Sequence, residues 1–201
     1  MRKIVEERSK TISDINEHLV EIYDETIKMK PRIILELGVS NTFNSTVALV
    51  EVGKDVGAEV ISIDIGDCRE ALGTINYNKW HFYKTDDTNE EIMSQILKDK
   101  KVDVLFIDTS HGYEHTLKEL EIYNKYLNKK YLIILHDTNS SNTASRVQEA
   151  LEVYYKTGTL NWQKDFEIET LEGIKLVNKG KNNGLVYIYS PLGLEQKGRA
   201  D

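Results

Sequence analysis

An α/β fold built on one doubly wound, mostly parallel sheet of seven strands is the architecture this sequence predicts, and three features predict it. Apolar runs rich in branched residues recur along the chain, separated by segments of helical spacing. The runs are continuous and do not alternate, as expected of strands with helices on both faces. Two of them, Val102 to Ile107 and Tyr131 to His136, close on a carboxylate with a histidine nearby, Asp108 with His111 and Asp137 with His136. Parallel strands that end this way aim their chemistry at one place, because open α/β sheets bind ligands outside the carboxyl ends of their strands.

The elements follow in order. The first 30 residues read as an amino-terminal helical extension, with Ile12, Ile15, Leu19 and Ile22 on one stripe and Pro31 as the stop. Strands are expected at Arg32 to Leu37, Glu59 to Asp64, Trp80 to Lys84, Val102 to Ile107 and Tyr131 to His136. Helices are expected at Ser45 to Val56, Thr88 to Asp99, Tyr113 to Leu127 and Thr143 to Lys156, with a short one within Gly66 to Asn76. The helix from Tyr113 should bury Tyr113, Leu117, Leu120, Asn124 and Leu127 and turn His115 to solvent. Phe166 to Leu171 and Leu185 to Ser190 are two further strands with only a Gly/Lys/Asn-rich loop between them, which reads as a carboxyl-terminal antiparallel hairpin on the sheet edge. The domain proper is expected over residues 31–192, with a flexible tail at 193–201.

Composition narrows the function classes. A formal net charge of −7 lacks the electrostatic footprint of a nucleic-acid binder. No apolar run has the length of a membrane span, and the charged amino terminus (Arg2, Lys3, Glu6, Glu7) is unlike a signal peptide. Cys68 has no second cysteine to pair with. These point to a cytoplasmic domain that binds neither nucleic acid nor membrane. The amino-terminal stripe is a candidate contact for a lid or a homo-oligomer, packing on the sheet being the simpler expectation.

The first strand runs into Glu36-Leu37-Gly38 and then a helix, so a glycine turn and a helix amino terminus face a ligand together. The second strand ends at Asp64, 26 residues after Gly38, where nucleotide-binding α/β folds carry the acid that holds the ribose hydroxyls. The dinucleotide fingerprint G-x-G-x-x-G is absent, which disfavours a nicotinamide-dependent oxidoreductase and suits a nucleoside cofactor without phosphates.

The segments E-L-G-V-S at 36–40, I-S-I-D at 61–64, D-V-L-F-I-D-T-S-H-G-Y-E at 103–114 and L-I-I-L-H-D-T at 132–138 resemble class I S-adenosylmethionine-dependent methyltransferases, in the branch of small-molecule O-methyltransferases known as methyltransferase domain 24. The resemblance implies a Rossmann-like fold and S-adenosylmethionine as cofactor. It implies cofactor contacts at Glu36, Gly38, Ser40, Asp64, Ile65 and Asp108, with Asp86 or Asp87 near the adenine. The family's second glycine is Thr42 here.

A hydroxyl acceptor is a weak nucleophile and needs a Lewis acid or a general base. Asp108 and Asp137 are hard oxygen ligands suited to Mg²⁺, and His111 and His136 are candidate bases, with His111 and Asp108 the expected catalytic pair. Metal-dependent members end the fifth-strand motif in an amide, where this chain has Thr138. The expected reaction is O-methylation of a small molecule, a sugar hydroxyl being one candidate acceptor. Trp162, Tyr154, Tyr155 and the amino-terminal helix are candidate walls for its pocket. Two other readings stand beside this one: a nucleoside-binding scaffold with a degenerate cofactor loop, and a zinc site at the H-x-x-E-H of His111 to His115, which requires both histidines on one helical face.

Overall fold

The structure, a computed structural model, describes residues 2–13, 15–39, 42–68, 75–139 and 145–191. Among these the helices are α1 (Arg2–Arg8), α2 (Leu19–Lys28), α3 (Asn44–Val56), α4 (Glu90–Leu97), α5 (Tyr113–Asn124) and α6 (Val147–Tyr155). The strands are β1 (Ile33–Leu37), β2 (Glu59–Asp64), β3 (Trp80–Lys84), β4 (Val102–Ile107), β5 (Leu127–His136), β6 (Phe166–Glu169), β7 (Lys175–Lys179) and β8 (Leu185–Tyr189). They form one sheet in the order β3-β2-β1-β4-β5-β8-β7-β6. Strands β1 to β5 pair in parallel, and β8, β7 and β6 are added antiparallel.

Successive residues of the central strands face opposite sides, so each strand feeds two cores. Leu35, Leu105 and Ile133 pack with Met93 of α4, Leu120 of α5 and Leu151 of α6. Ile34, Val104 and Ile134 pack with Leu19 and Ile22 of α2 and Leu49 of α3. Burying each such aliphatic chain is worth about 1.5–3 kcal/mol. Among the described residues no helix is long and apolar enough to cross a membrane.

The sheet has eight strands and not seven. Lys175–Lys179 is a strand that separates β6 from β8, so the expected hairpin of two strands is a three-stranded antiparallel addition. Its composition conceals it. The buried positions are Leu176 and Asn178, and Asn178 is tolerated inside because its Nδ2 donates to Trp162 O at 3.0 Å and Lys164 O at 2.8 Å while its Oδ1 accepts from Thr138 Oγ1 at 3.1 Å.

The amino-terminal helix is broken. Helix α1 stops at Arg8, Ile12 is 93% exposed, and a 3₁₀ turn at Asn16–His18 restarts the chain into α2. The stripe survives as Ile15, Leu19 and Ile22, all buried against the sheet, with Val5 of α1 fully buried beside them. The segment is therefore a layer of the domain. In α5 the buried residues are Thr116, Glu119, Leu120, Ile122 and Tyr123; Asn124 is exposed, Tyr113 and Leu117 are half-buried, and Leu127 belongs to β5. Residues 69–74 and 140–144, which hold most of the expected short helix and the start of the last one, lie outside the described residues, as does the tail from 192.

Candidate active site

Register fixes the edge where the site forms. Leu37 of β1 is level with Ile63 of β2 and Ile107 of β4, and Ile107 is level with Leu135 of β5. The next residues, Gly38, Asp64, Asp108 and His136, emerge in one row. Gly38 has φ +83°, and a Cβ there would overlap the Asp108 carbonyl. Only glycine meets both demands. Asp64 Oδ2 accepts from the Val39 N–H at 2.8 Å and Oδ1 from the Gly66 N–H at 2.7 Å, so one carboxylate ties together the loops after β1 and β2.

Beside this row lies a cavity of about 550 Å³ lined by Gly38, Asp64, Ile65, Asp86, Asp87 and Asp108, with His115 at its wall. Six of the residues expected to touch a cofactor are thus brought together. Ile65 is 75% exposed, as a residue awaiting an apolar partner would be. Asp86 is exposed and accepts from Thr88 N and Oγ1, both at 2.8 Å, whereas Asp87 is buried and turned toward α5. Ser40 lies outside the described residues.

Glu36 is a correction. It is fully buried and faces inward: Oε1 accepts from Ser45 Oγ at 2.8 Å and Thr46 Oγ1 at 3.0 Å, and Oε2 from Ser62 Oγ at 2.6 Å. Burial pushes its carboxyl up to about 7 despite these donors. It fastens the first turn of α3 to β1 and β2, and is no part of the cavity lining.

At the far end of the row Asp108, His111, His136 and Asp137 form one cluster. His111 Nε2 stands 3.0 Å from Asp108 Oδ1 and its Nδ1 stands 2.9 Å from Asp137 Oδ2. His136 Nδ1 stands 3.2 Å from the same Asp108 oxygen. His111 (φ +57°) and Asp137 (φ +58°) both sit in the left-handed region, a strain of a kind that clusters at functional sites. Their carbonyls are held by the Arg146 N–H at 2.8 Å and the Ser145 hydroxyl at 3.1 Å.

Charge follows geometry. Burial opposes the Asp108 charge, but His111 and His136 outweigh it and hold the carboxyl well below the usual range. Burial likewise opposes a charged His111, and Asp108 with Asp137 overrides it, pushing the imidazole up to about 10. His111 is therefore a protonated bridge between two carboxylates at neutral pH, whereas a general base must be neutral. Thr138 is buried and its hydroxyl donates to Asn178 Oδ1.

Other expectations fall elsewhere. His111 precedes α5 and His115 faces Asp87 and Glu119, half-buried and not in solvent, so the H-x-x-E-H residues do not share one center. Trp162 is buried against Phe166 with its Nε1 donating to Glu152 at 2.8 Å. Tyr154 and Tyr155 line a separate cavity of about 670 Å³ beside the β6–β7 turn. Sequence reasoning missed His18, whose ring meets that of His136, and Glu119, although the i, i+4 spacing from His115 was a usable signal.

A doubly wound sheet with a ligand-sized cavity at its carboxyl edge, an acid at the end of β2 and a charged cluster at the ends of β4 and β5 defines a cofactor-binding α/β protein. The family model of the methyltransferase domain (Methyltransf_24) matches residues 35–138, and the chain belongs to that family. No curated protein is significantly similar in sequence. Among solved structures it is similar to a Staphylococcus aureus protein assigned as a caffeoyl-CoA O-methyltransferase (18% identity, 94% of this chain and 91% of that one, TM-score 0.67). It is also similar to an O-methyltransferase from Bacillus cereus in complex with SAH (16%, 94% and 90%, 0.61). A third similar fold is the TDP-rhamnose 3'-O-methyltransferase of calicheamicin biosynthesis (12%, 86% and 78%, 0.63).

Proposed function

We propose that the chain is an S-adenosylmethionine-dependent O-methyltransferase acting on a small-molecule hydroxyl, a sugar hydroxyl being one candidate. One observation carries this reading: Asp108 lines the cavity and is also the hub of the cluster, so a cofactor in the cavity and an acceptor at the cluster would meet there. The similar folds that act on TDP-rhamnose and are assigned to caffeoyl-CoA support a small acceptor.

Methyl transfer breaks the sulfonium S–CH₃ bond, forms the O–CH₃ bond and releases the hydroxyl proton. Much of the acceleration comes from holding the pair in line, with effective molarities of roughly 10⁵–10⁸ M. The Asp108 carboxylate lines the cavity and would face the cationic donor there. Asp137 Oδ1 is buried without a hydrogen bond and is the group to orient the acceptor hydroxyl.

The same groups fit a divalent cation. The carboxylate oxygens of Asp108 and Asp137, within 4.8 Å of one another, are hard donors suited to Mg²⁺ and would hold it in place of the charged imidazole that bridges them. Bound there, the ion would supply Lewis-acid polarization of the acceptor hydroxyl.

Calorimetric titration with S-adenosylhomocysteine, with and without Mg²⁺, tests the proposal. Micromolar binding supports it and justifies an acceptor screen starting with sugars and catechols. No binding in either condition overturns it.

A further inference from the structure

A second cluster borders the cavity at the contact between α5 and the loop after β3. His115 Nε2 stands 3.3 Å from Asp87 Oδ2 and 3.5 Å from Glu119 Oε1, and one ligand atom of each residue lies within 4.8 Å of the other two. Glu119 is 0% exposed and Asp87 9%. Even so, Asp87 Oδ2, His115 Nε2 and Glu119 Oε2 are all buried without a hydrogen bond. They approach one another without aligning to bond one another, as ligands aimed at a common center do. Buried polar atoms without a directed hydrogen bond, three of them converging, point to an occupant.

The surroundings hold the three in place. Glu119 Oε1 accepts from Thr109 Oγ1 at 2.7 Å, and the Tyr123 hydroxyl donates to the Asp87 carbonyl at 2.7 Å. Metal ligands are oriented by outer hydrogen bonds of this kind. A dication would sit between the two carboxylates with a neutral imidazole as the third ligand.

We propose that Asp87, His115 and Glu119 form a binding site for a first-row transition dication of the Zn²⁺ type, distinct from the Asp108–Asp137 pair. One imidazole nitrogen with two carboxylate oxygens suits such an ion, whereas Mg²⁺ prefers oxygen alone. The ion would clasp α5 to the loop bearing Asp86, Asp87 and Thr88, and so fix one wall of the cavity.

The test uses Co²⁺ alone as a spectroscopic probe on the full chain carrying Asp108→Asn and Asp137→Asn, which silence the other cluster. One equivalent should bind with a visible d–d band that Zn²⁺ displaces, and adding His115→Ala or Glu119→Gln should weaken binding at least ~10-fold. A missing band, or a band indifferent to both substitutions, overturns the proposal. Should the background variant not fold, imidazole NMR of the wild-type chain decides: one equivalent of Zn²⁺ should shift the His115 nitrogens, and a shift confined to His111 and His136 overturns it. Neither readout needs methyl donor or acceptor, so this result is independent of the proposed reaction.

Discussion

The rings of His18 and His136 meet edge to face, with centroids 6.1 Å apart and planes at 70°. His136 touches Asp108, so the amino-terminal segment reaches the strand-end cluster through one aromatic contact. Burial, and then the neighboring His136, keep the His18 imidazole below its ordinary value. A histidine depressed in the folded state binds fewer protons there than when unfolded, so its contribution is present above about 6.5 and is lost as pH falls. His18→Phe should keep the edge contact and remove this dependence. Melting temperatures from pH 7 to 5 should fall less steeply in the variant, and parallel curves would exclude His18 as a source of acid sensitivity.

Glu36 has the opposite sign. Its folded carboxyl is raised from 4.5 to about 7, so the folded state holds the extra proton and stability declines as pH rises through that window. A shift of this size corresponds to a loss of order 3 kcal/mol once the group is ionized. Glu36→Gln should flatten urea-derived stability between pH 4.5 and 7. The same slope in both proteins would show that the buried carboxyl is not the titrating group.

Gly38→Ala places a methyl group on the Asp108 carbonyl in a backbone conformation at φ +83°. Strain and overpacking each cost about 1–3 kcal/mol, so denaturant midpoints should show a loss of roughly 2–6 kcal/mol, and binding of S-adenosylhomocysteine should weaken with it. A neutral substitution would mean that the β1–β4 crossover yields more than packed backbone should.

Asp64→Ala removes the acceptor shared by the Val39 and Gly66 amides and the acid proposed for the ribose hydroxyls. Hydrogen bonds to a charged group are worth about 1.5–3 kcal/mol, so affinity for S-adenosylhomocysteine should drop roughly 10- to 100-fold. Asp64→Asn, which keeps one acceptor, should fall between; equal affinity for all three proteins would remove Asp64 from the cofactor site.

Asp137→Ala should abolish any gain in methyl transfer on adding Mg²⁺, because it deletes the orphaned oxygen and half of the carboxylate pair. Activity of the wild-type protein that survives chelation would dismiss the cation and leave Asp137 as a hydrogen-bonding group.

The central parallel strands were legible because Val102 to Ile107 and Leu132 to Leu135 are nearly continuous apolar runs, as a sheet covered on both faces requires. Gly38, Asp64, Asp108 and Asp137 were legible as strand-end residues for the same reason. What stayed hidden was polar. Strand β7 owes its buried Asn178 to side-chain hydrogen bonds that no hydropathy pattern registers, and the protonation of His111 depends on Asp137 lying 2.9 Å away across the sheet edge. Glu36 misled because an acid at a strand end reads as a ligand, when Ser45, Thr46 and Ser62 have enclosed it.

His18 Nε2 lies 3.1 Å from the carbonyl of Lys181, 163 positions along the chain, and Asn182 donates to Glu17 beside it. The two flanks of the sequence are thus knotted together next to the reactive corner. Loops of that span close slowly, because their entropy must be overcome before any distant contact repays it. During synthesis the first strands can assemble while the corner stays open, since its partner Lys181 is made 163 positions after His18. The corner therefore closes only after residue 181 has been made, and a chain halted before it would carry the cavity wall without that contact.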